Sequence, residues 1–159
     1  MHTFVAIIGS RNSGKSTIIK SLTGCPTGQF RDTVGDAATG RSIFVVGSSP
    51  QEVALPLLKL RKILKQAAND PLCNGVVIAL QPTFPSKRLS MEQVFSEATA
   101  HNFTVFAYVL DPEHSGASGQ TAGVNFRLAH IGVKARVLDA RRFAHINAAA
   151  INARAKIAS

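Results

Sequence analysis

The stretch Val5-Ala-Ile-Ile-Gly-Ser-Arg-Asn-Ser-Gly-Lys-Ser-Thr-Ile-Ile-Lys-Ser-Leu-Thr-Gly24 decides the fold, because it predicts a buried strand, a glycine-bounded turn and a helix in that order. It contains Gly9-x4-Gly14-Lys15-Ser16, the complete phosphate-binding loop or Walker A pattern. Such a loop aims successive backbone N–H groups at one phosphate, and the helix that follows presents its positive end to the same point. The pattern therefore predicts a phosphate site.

The predicted site consists of consecutive residues that lie on the loop or open the helix: Gly9, Ser10, Arg11, Asn12, Ser13, Gly14, Lys15, Ser16 and Thr17. We expect Lys15 to be an exposed charge on the outer phosphates, with no role in the core. We expect the Ser16 hydroxyl to bind a magnesium ion that bridges two phosphates, since Mg²⁺ prefers oxygen ligands. An alternative, in which the two glycines only close a tight turn, is disfavoured because strand, loop and helix occur in the required order.

The composition is typical of one soluble domain. The chain has 159 residues, 45% of them apolar, so we expect a single nucleotide-binding domain over 1–159 with a core of its own. No apolar run reaches the roughly 18 residues that a membrane span needs. The N-terminus enters an apolar strand directly, without a secretory leader, which predicts a cytoplasmic location.

Cys25 and Cys73 are isolated from each other, and we expect both to be reduced.

The net charge of +9 predicts attraction to polyanions. The segment from Arg127 to Lys156 has seven Lys or Arg residues against one Asp. Charge without a recognition element gives only salt-sensitive affinity, so we expect weak polyanion binding or an acidic protein partner.

Alternating apolar and amphipathic segments predict an α/β fold, with an open, mostly parallel sheet and helices on both faces. The predicted strands are residues 3–9, 42–46, 74–80, 103–110 and 135–138. The predicted helices follow the loop up to Gly24, run from Pro56 to Asn69, begin at a Ser90–Gln93 capping box, and cover 124–131 and 141–158. No regular structure is predicted for 27–41.

The last predicted helix carries one apolar stripe at spacings of three and four, which we expect to pack on the sheet: Phe143, Ile146, Ala150, Ala153 and Ile157.

Residues Asn12-Ser-Gly-Lys-Ser-Thr-Ile-Ile-Lys-Ser-Leu-Thr-Gly24 resemble the first motif of the translation-factor-related small GTPases. The resemblance implies a P-loop NTPase fold, GTP as ligand, and a magnesium-binding threonine after the first helix. Thr33 is the best-placed candidate and Thr39 the second. Where that family has aspartate-x-x-glycine this chain has Ser48-Ser49-Pro50-Gln51, and the guanine-reading asparagine-lysine-x-aspartate is absent. Asp139-Ala140-Arg141 lies where the family has its base-contact turn.

These features predict a GTPase-like nucleotide switch or a slow, degenerate NTPase that binds GTP or ATP with Mg²⁺. Ser48 stands where an aspartate would direct magnesium, so we expect hydrolysis to be slow without a partner. Gln51 is the predicted catalytic residue, because a glutamine orients the attacking water in some GTPases. The sequence is equally consistent with Gln51 as a surface residue at the start of the next helix.

Three other functions remain open at this stage. The strand that ends at Asp111-Pro112-Glu113 resembles the strand and acidic pair of additional-strand ATPases, which would place Asp111 and Glu113 at magnesium and water. A small-molecule kinase would use Arg127 and a glycine-rich lid at 115–123, a segment equally interpreted as a surface loop. A non-catalytic module would bind nucleotide and change shape.

Overall fold

The computed structural model describes residues 2–26, 29–83 and 87–158. Within these ranges six strands alternate with five α-helices. The strands are β1 (Thr3–Ile8), β2 (Arg31–Gly35), β3 (Ser42–Val46), β4 (Cys73–Leu80), β5 (Thr104–Leu110) and β6 (Ala135–Leu138). The helices are α1 (Lys15–Thr23), α2 (Leu57–Asn69), α3 (Met91–Ala100), α4 (Gln120–Leu128) and α5 (Ala144–Ala155), and a short 3₁₀ turn (Ala129–Ile131) follows α4.

The strands form one sheet in the order β2-β3-β4-β1-β5-β6. All neighbouring pairs are parallel except β2 with β3. Strand β1 lies between β4 and β5 and pairs with both along its whole length, from Thr3 to Ile8. The mostly parallel α/β sheet is therefore confirmed, and the loop after β1 starts from its most enclosed strand.

Helices cover both faces of the sheet, as predicted. Side chains of β1 alternate between two cores, with Phe4 and Ile8 in one and Val5 and Ile7 in the other. The first core includes residues of α2, α3 and α4, and the second includes residues of α1 and α5. Burial of β1 on both faces explains why its sequence is a continuous apolar run rather than an alternating one.

Two helix boundaries follow the chemistry that the sequence indicates. Gly24 ends α1 in the left-handed conformation, with φ of +75°, and its N–H donates to the Lys20 carbonyl. At the start of α3, the Ser90 hydroxyl accepts the Gln93 N–H and the Gln93 side chain accepts the Ser90 N–H. The predicted capping box is therefore confirmed.

The predicted apolar stripe of the last helix is wrong at four of its five positions, and only Ile157, which follows α5, is buried in the core. Phe143 is 73% exposed and Ile146 is 44% exposed, and the buried residues of α5 are Asn147, Ala148, Ile151 and Ala155. The Asn147 side chain donates to the Asp139 carbonyl at 2.9 Å, which ties this polar residue to the turn before the helix. A buried polar anchor therefore sets the inward face of α5, and an apolar pattern cannot predict it.

The segment 27–41, for which no regular structure is predicted, differs from expectation over 29–41; residues 27 and 28 lie outside the described residues. Residues 31–35 form β2, an edge strand antiparallel to β3, and a turn at 36–40 connects the two strands. Edge strands with polar side chains lack the apolar alternation on which a strand prediction depends. Helix α4 begins at Gln120, four residues before the predicted start at 124.

Gly75 is the position where β4 tolerates no side chain. Its φ is +154°, and a Cβ would overlap the backbone of Thr3 on the neighbouring strand. We predict that Gly75→Ala lowers the free energy of unfolding by about 2 kcal/mol or more, through backbone strain and overpacking. Urea unfolding followed by circular dichroism measures the change.

The matched control is Gly123→Ala, since Gly123 lies inside α4 and a Cβ added there would have no neighbouring atom within 4 Å. The control is expected to be neutral or to stabilise by up to about 1 kcal/mol. Equal effects of the two substitutions would contradict the close approach of β4 to β1.

Candidate functional site

The loop between β1 and α1 has a conformation that requires both glycines of its pattern. Gly14 has φ of +105°, and a Cβ there would lie 3.4 Å from the His114 Cβ. A Cβ on Gly9 would overlap the Ser13 side chain. Gly14 is the N-cap of α1 and provides no side-chain cap, so the first-turn N–H groups of α1 remain available to an anion.

A cleft of about 1140 Å³ opens at this helix end. Residues 11–18 form one wall, and the others come from segments that follow β3, β4, β5 and β6, with Gln29 before β2. Among the described residues that line it, five are cationic and one is a carboxylate: Arg11, Lys15, Arg88, Arg141 and Arg142, with Glu52. The lining of the cleft therefore carries an excess of positive charge, although Arg141 is paired with Asp139. Seven of the nine predicted site residues, 11–17, line it.

Lys15 is buried, and the expectation of an exposed charge is wrong. Its side chain is 4% exposed, and Nζ donates to the carbonyls of Gly9 at 3.0 Å and Ser10 at 2.5 Å. Nζ also lies 3.9 Å from Oε1 of Glu52. Burial lowers the pKa of Lys15, and the charges of Glu52 and Glu113 oppose this shift. The ammonium folds back onto its own loop instead of reaching into solvent.

Gln51, the predicted water-orienting residue, is fixed by the backbone. It is 4% exposed, its Nε2 donates to the Leu89 carbonyl at 2.7 Å, and its Oε1 accepts the Gln81 N–H at 2.8 Å. Both ends of the amide are therefore engaged with the segment after β4. Gln51 lines the cleft, but its amide is held by backbone groups at both ends instead of being free to orient a water.

Glu52 is the acidic residue that the sequence argument missed. Its Oε1 accepts a hydrogen bond from Gln81 Nε2 at 2.8 Å, and its backbone N–H donates to the Ser49 carbonyl at 3.0 Å. The side chain is 24% exposed and faces the same cleft as Lys15. One signal was present in the sequence, because Glu52 is the only acidic residue between β3 and α2.

Glu113 anchors the loop instead of facing the cleft. The carboxylate is 3% exposed, and Ser10 donates to it twice, through its N–H at 2.7 Å and through its hydroxyl. The next N–H, of His114, donates to the Ser13 carbonyl at 3.0 Å. Glu113 and Ser10 are not among the lining residues described for the cleft, so this contact holds the loop from behind.

Asp111 caps α4. Its carboxylate accepts the N–H groups of Gly119 and Thr121 and the Thr121 hydroxyl, and these hydrogen bonds, the hydroxyl foremost, lower its pKa. Neither Asp111 nor Glu113 therefore has the placement that the ATPase interpretation needs. Arg127, the proposed lid residue of the kinase interpretation, pairs with Glu92 at 2.5 Å, outside the cleft lining.

The predicted metal ligands do not come together. Ser16 lines the cleft, but Thr33 is an exposed residue of β2 outside the cleft lining, and Thr39 donates its hydroxyl to Asp36 in the following turn. Within the described part of the chain, no group of three or more His, Cys, Asp or Glu side chains has the arrangement of a metal site. In the same ranges, no helix has the length and apolar character that crossing a membrane requires.

Phe143 is a further residue that the sequence argument misplaced. It precedes α5, lines the cleft and stacks on His145 with ring centroids 5.7 Å apart. Its neighbour Arg141 pairs with Asp139 at 3.1 Å, so this turn is charged and ordered. An exposed aromatic ring thus lies in the same cleft as the first turn of α1.

The sequence matches no protein-family model, no curated protein and no solved structure. The geometry of the cleft is therefore the basis for a functional proposal.

The contact between Glu113 and Ser10 makes a testable prediction. Glu113→Gln keeps the size of the buried side chain but removes its charge and one acceptor, so one donor of Ser10 would face an amide NH₂ group. We expect the free energy of unfolding to fall by about 1–3 kcal/mol, measured by urea titration.

Glu97→Gln is the matched control, because Glu97, 16% exposed, pairs with the half-exposed Arg61 away from the loop through two hydrogen bonds. A partly exposed pair of this kind is worth about 1 kcal/mol or less. A Glu113→Gln protein as stable as the wild type would contradict the anchoring role.

Proposed function

We propose that the protein binds a nucleoside triphosphate with magnesium in this cleft and acts as a nucleotide-dependent switch or a slow NTPase. The observation that carries the proposal is the uncapped first turn of α1, which opens into a cleft lined by five cationic side chains. Polyphosphates are the common ligands that match both a helix N-terminus and a concentration of positive charge.

The phosphate end of the ligand would lie against residues 13–17. The N–H groups of residues 14–17 would supply several donors at one point, while the Ser13 N–H donates to the Ser10 carbonyl at 3.3 Å. The buried Lys15 ammonium would exchange its loop carbonyls for phosphate oxygens. Such an exchange replaces neutral acceptors with charged ones, which form stronger hydrogen bonds with an ammonium.

Magnesium would bind to the Ser16 hydroxyl and to phosphate oxygens. Mg²⁺ usually keeps several waters and takes only one or two protein ligands beside the phosphates, so a preformed cage of carboxylates is not required. Glu52 is the one carboxylate among the described lining residues that lies in the same cleft. Thr33, a residue of β2 outside the cleft lining, is not part of this proposal.

The base end of the ligand would stack on Phe143. This ring is 73% exposed, follows β6 and lines the same cleft as residues 11–18. Aromatic rings bind every nucleobase through stacking, so this contact accepts guanine and adenine alike. A base contact there also gives a reason for an exposed phenylalanine beside a polar cleft.

Titration with fluorescent GTP and ATP analogues, with and without Mg²⁺, tests the proposal. We predict magnesium-dependent binding by the wild type, and a roughly tenfold loss of affinity in Ser16→Ala from one lost oxygen ligand. Ser21→Ala is the matched control, since Ser21 is exposed on the same helix and is not among the cleft residues. Equal affinities for the two variants would contradict a magnesium site at Ser16.

Arg88 supplies a second test, directed at the terminal phosphate. It lines the cleft from the segment between β4 and α3, while its neighbour Lys87 is exposed outside the cleft lining. We predict that Arg88→Ala weakens triphosphate binding by roughly tenfold and diphosphate binding by less, since a charge-assisted hydrogen bond is worth about 1.5–3 kcal/mol. Lys87→Ala, the control, should bind both ligands as the wild type does. Equal losses of affinity in Arg88→Ala and Lys87→Ala would show that the effect comes from the overall positive charge, which would contradict a specific contact between Arg88 and the terminal phosphate.

A further inference from the structure

Glu52 is the one carboxylate among the described residues that line the cleft, and only one of its two oxygens is hydrogen-bonded. Oε1 accepts the Gln81 side chain and lies 3.9 Å from Lys15 Nζ. Within the described ranges, Oε2 has no hydrogen bond. The side chain is 24% exposed, so water reaches it from the cleft.

Glu52 is held in place from several directions. Its N–H donates to both the carbonyl and the hydroxyl of Ser49, which fixes the turn after β3. Gln51 joins that turn to the segment after β4, and Gln81 at the end of β4 holds the carboxylate itself. A carboxylate with these restraints has the fixed position that a catalytic group needs, unlike a flexible surface glutamate.

Neutralisation of Lys15 alone does not account for this arrangement. The Lys15 ammonium already donates to two loop carbonyls, and its 3.9 Å distance to Glu52 is longer than a charge-assisted hydrogen bond. A carboxylate that served only as a counterion would be expected at direct contact. Glu52 instead lies 3.9 Å from Lys15 Nζ, and its Oε2 has no hydrogen bond to the described residues.

We propose that Glu52 is the catalytic base of a triphosphatase reaction in this cleft, an inference that rests on the proposed function. Glu52 accepts a proton from water as the water oxygen forms a bond to the γ-phosphorus. The bond between this phosphorus and the β–γ bridging oxygen breaks, and its electron pair leaves with the nucleoside diphosphate. Inorganic phosphate is the second product, and Glu52 returns its proton to solvent. Gln51 orders the turn that positions Glu52.

Single-turnover release of inorganic phosphate from GTP and ATP, with Mg²⁺ and the full chain, tests this role. Glu52→Gln is expected to slow release by about a hundredfold or more, the usual contribution of a general base. The dissociation constant of the triphosphate should stay within about threefold of the wild type, because the group acts in the transition state. Glu97→Gln, a surface control of the same chemistry, should retain the wild-type rate.

Glu52→Asp is a second variant. It keeps the negative charge but moves the carboxylate back from the cleft by the length of one methylene group. Its rate should lie between those of the wild type and Glu52→Gln, and circular dichroism checks that each variant folds. Wild-type release rates in a folded Glu52→Gln protein, or bound triphosphate without any release by the wild type, would overturn the catalytic role while the binding proposal stands. A wild type that binds no triphosphate would overturn the proposed function itself.

Discussion

The parallel pairing of β1 with β4 on one side and β5 on the other is the constraint on which the site depends. It aligns the carboxyl ends of three strands, so the segments that follow them meet at one edge of the sheet. The Gly9 N–H extends this pairing by donating to the Leu80 carbonyl at 3.0 Å. The loop thus begins at a fixed point. Glu113, which follows β5, secures it from behind.

The electrostatic character of the cleft follows from burial. Lys15 loses solvent without gaining a direct carboxylate contact, so its charge is only partly compensated by Glu52. Four arginines around the same cleft add to the positive field. An anion that enters the cleft would relieve this imbalance, which is a physical reason for ligand binding that does not depend on any family resemblance.

Local sequence predicted the parts of the fold that local chemistry determines. The strand, loop and helix around Gly14, the end of α1 at Gly24 and the Ser90–Gln93 capping box are all contacts between near neighbours, and the structure confirms them. β3 and β6 were predicted with their observed boundaries because each is a short apolar run between turn residues.

The parts that the sequence did not predict depend on contacts between distant residues. Glu113 reaches Ser10 across 103 positions, and the placement of Glu52 depends on Gln81, which directly follows β4. The inward face of α5 is set by Asn147, a polar residue whose partner lies before the helix. No periodicity in a single segment encodes such pairings, so the anchor, the carboxylate and the exposed Phe143 emerged only with the tertiary structure.

The most direct test of the central claim is an amide chemical-shift titration of ¹⁵N-labelled protein with a magnesium-bound, non-hydrolysable triphosphate. The account predicts that the largest changes occur at the amides of residues 13–17, with smaller changes in the turn that contains Phe143. The amides of Arg61 and Glu97, which form an ion pair outside the cleft lining, should remain unchanged. Changes confined to the basic surface of residues 127–156, with none at 13–17, would contradict the account.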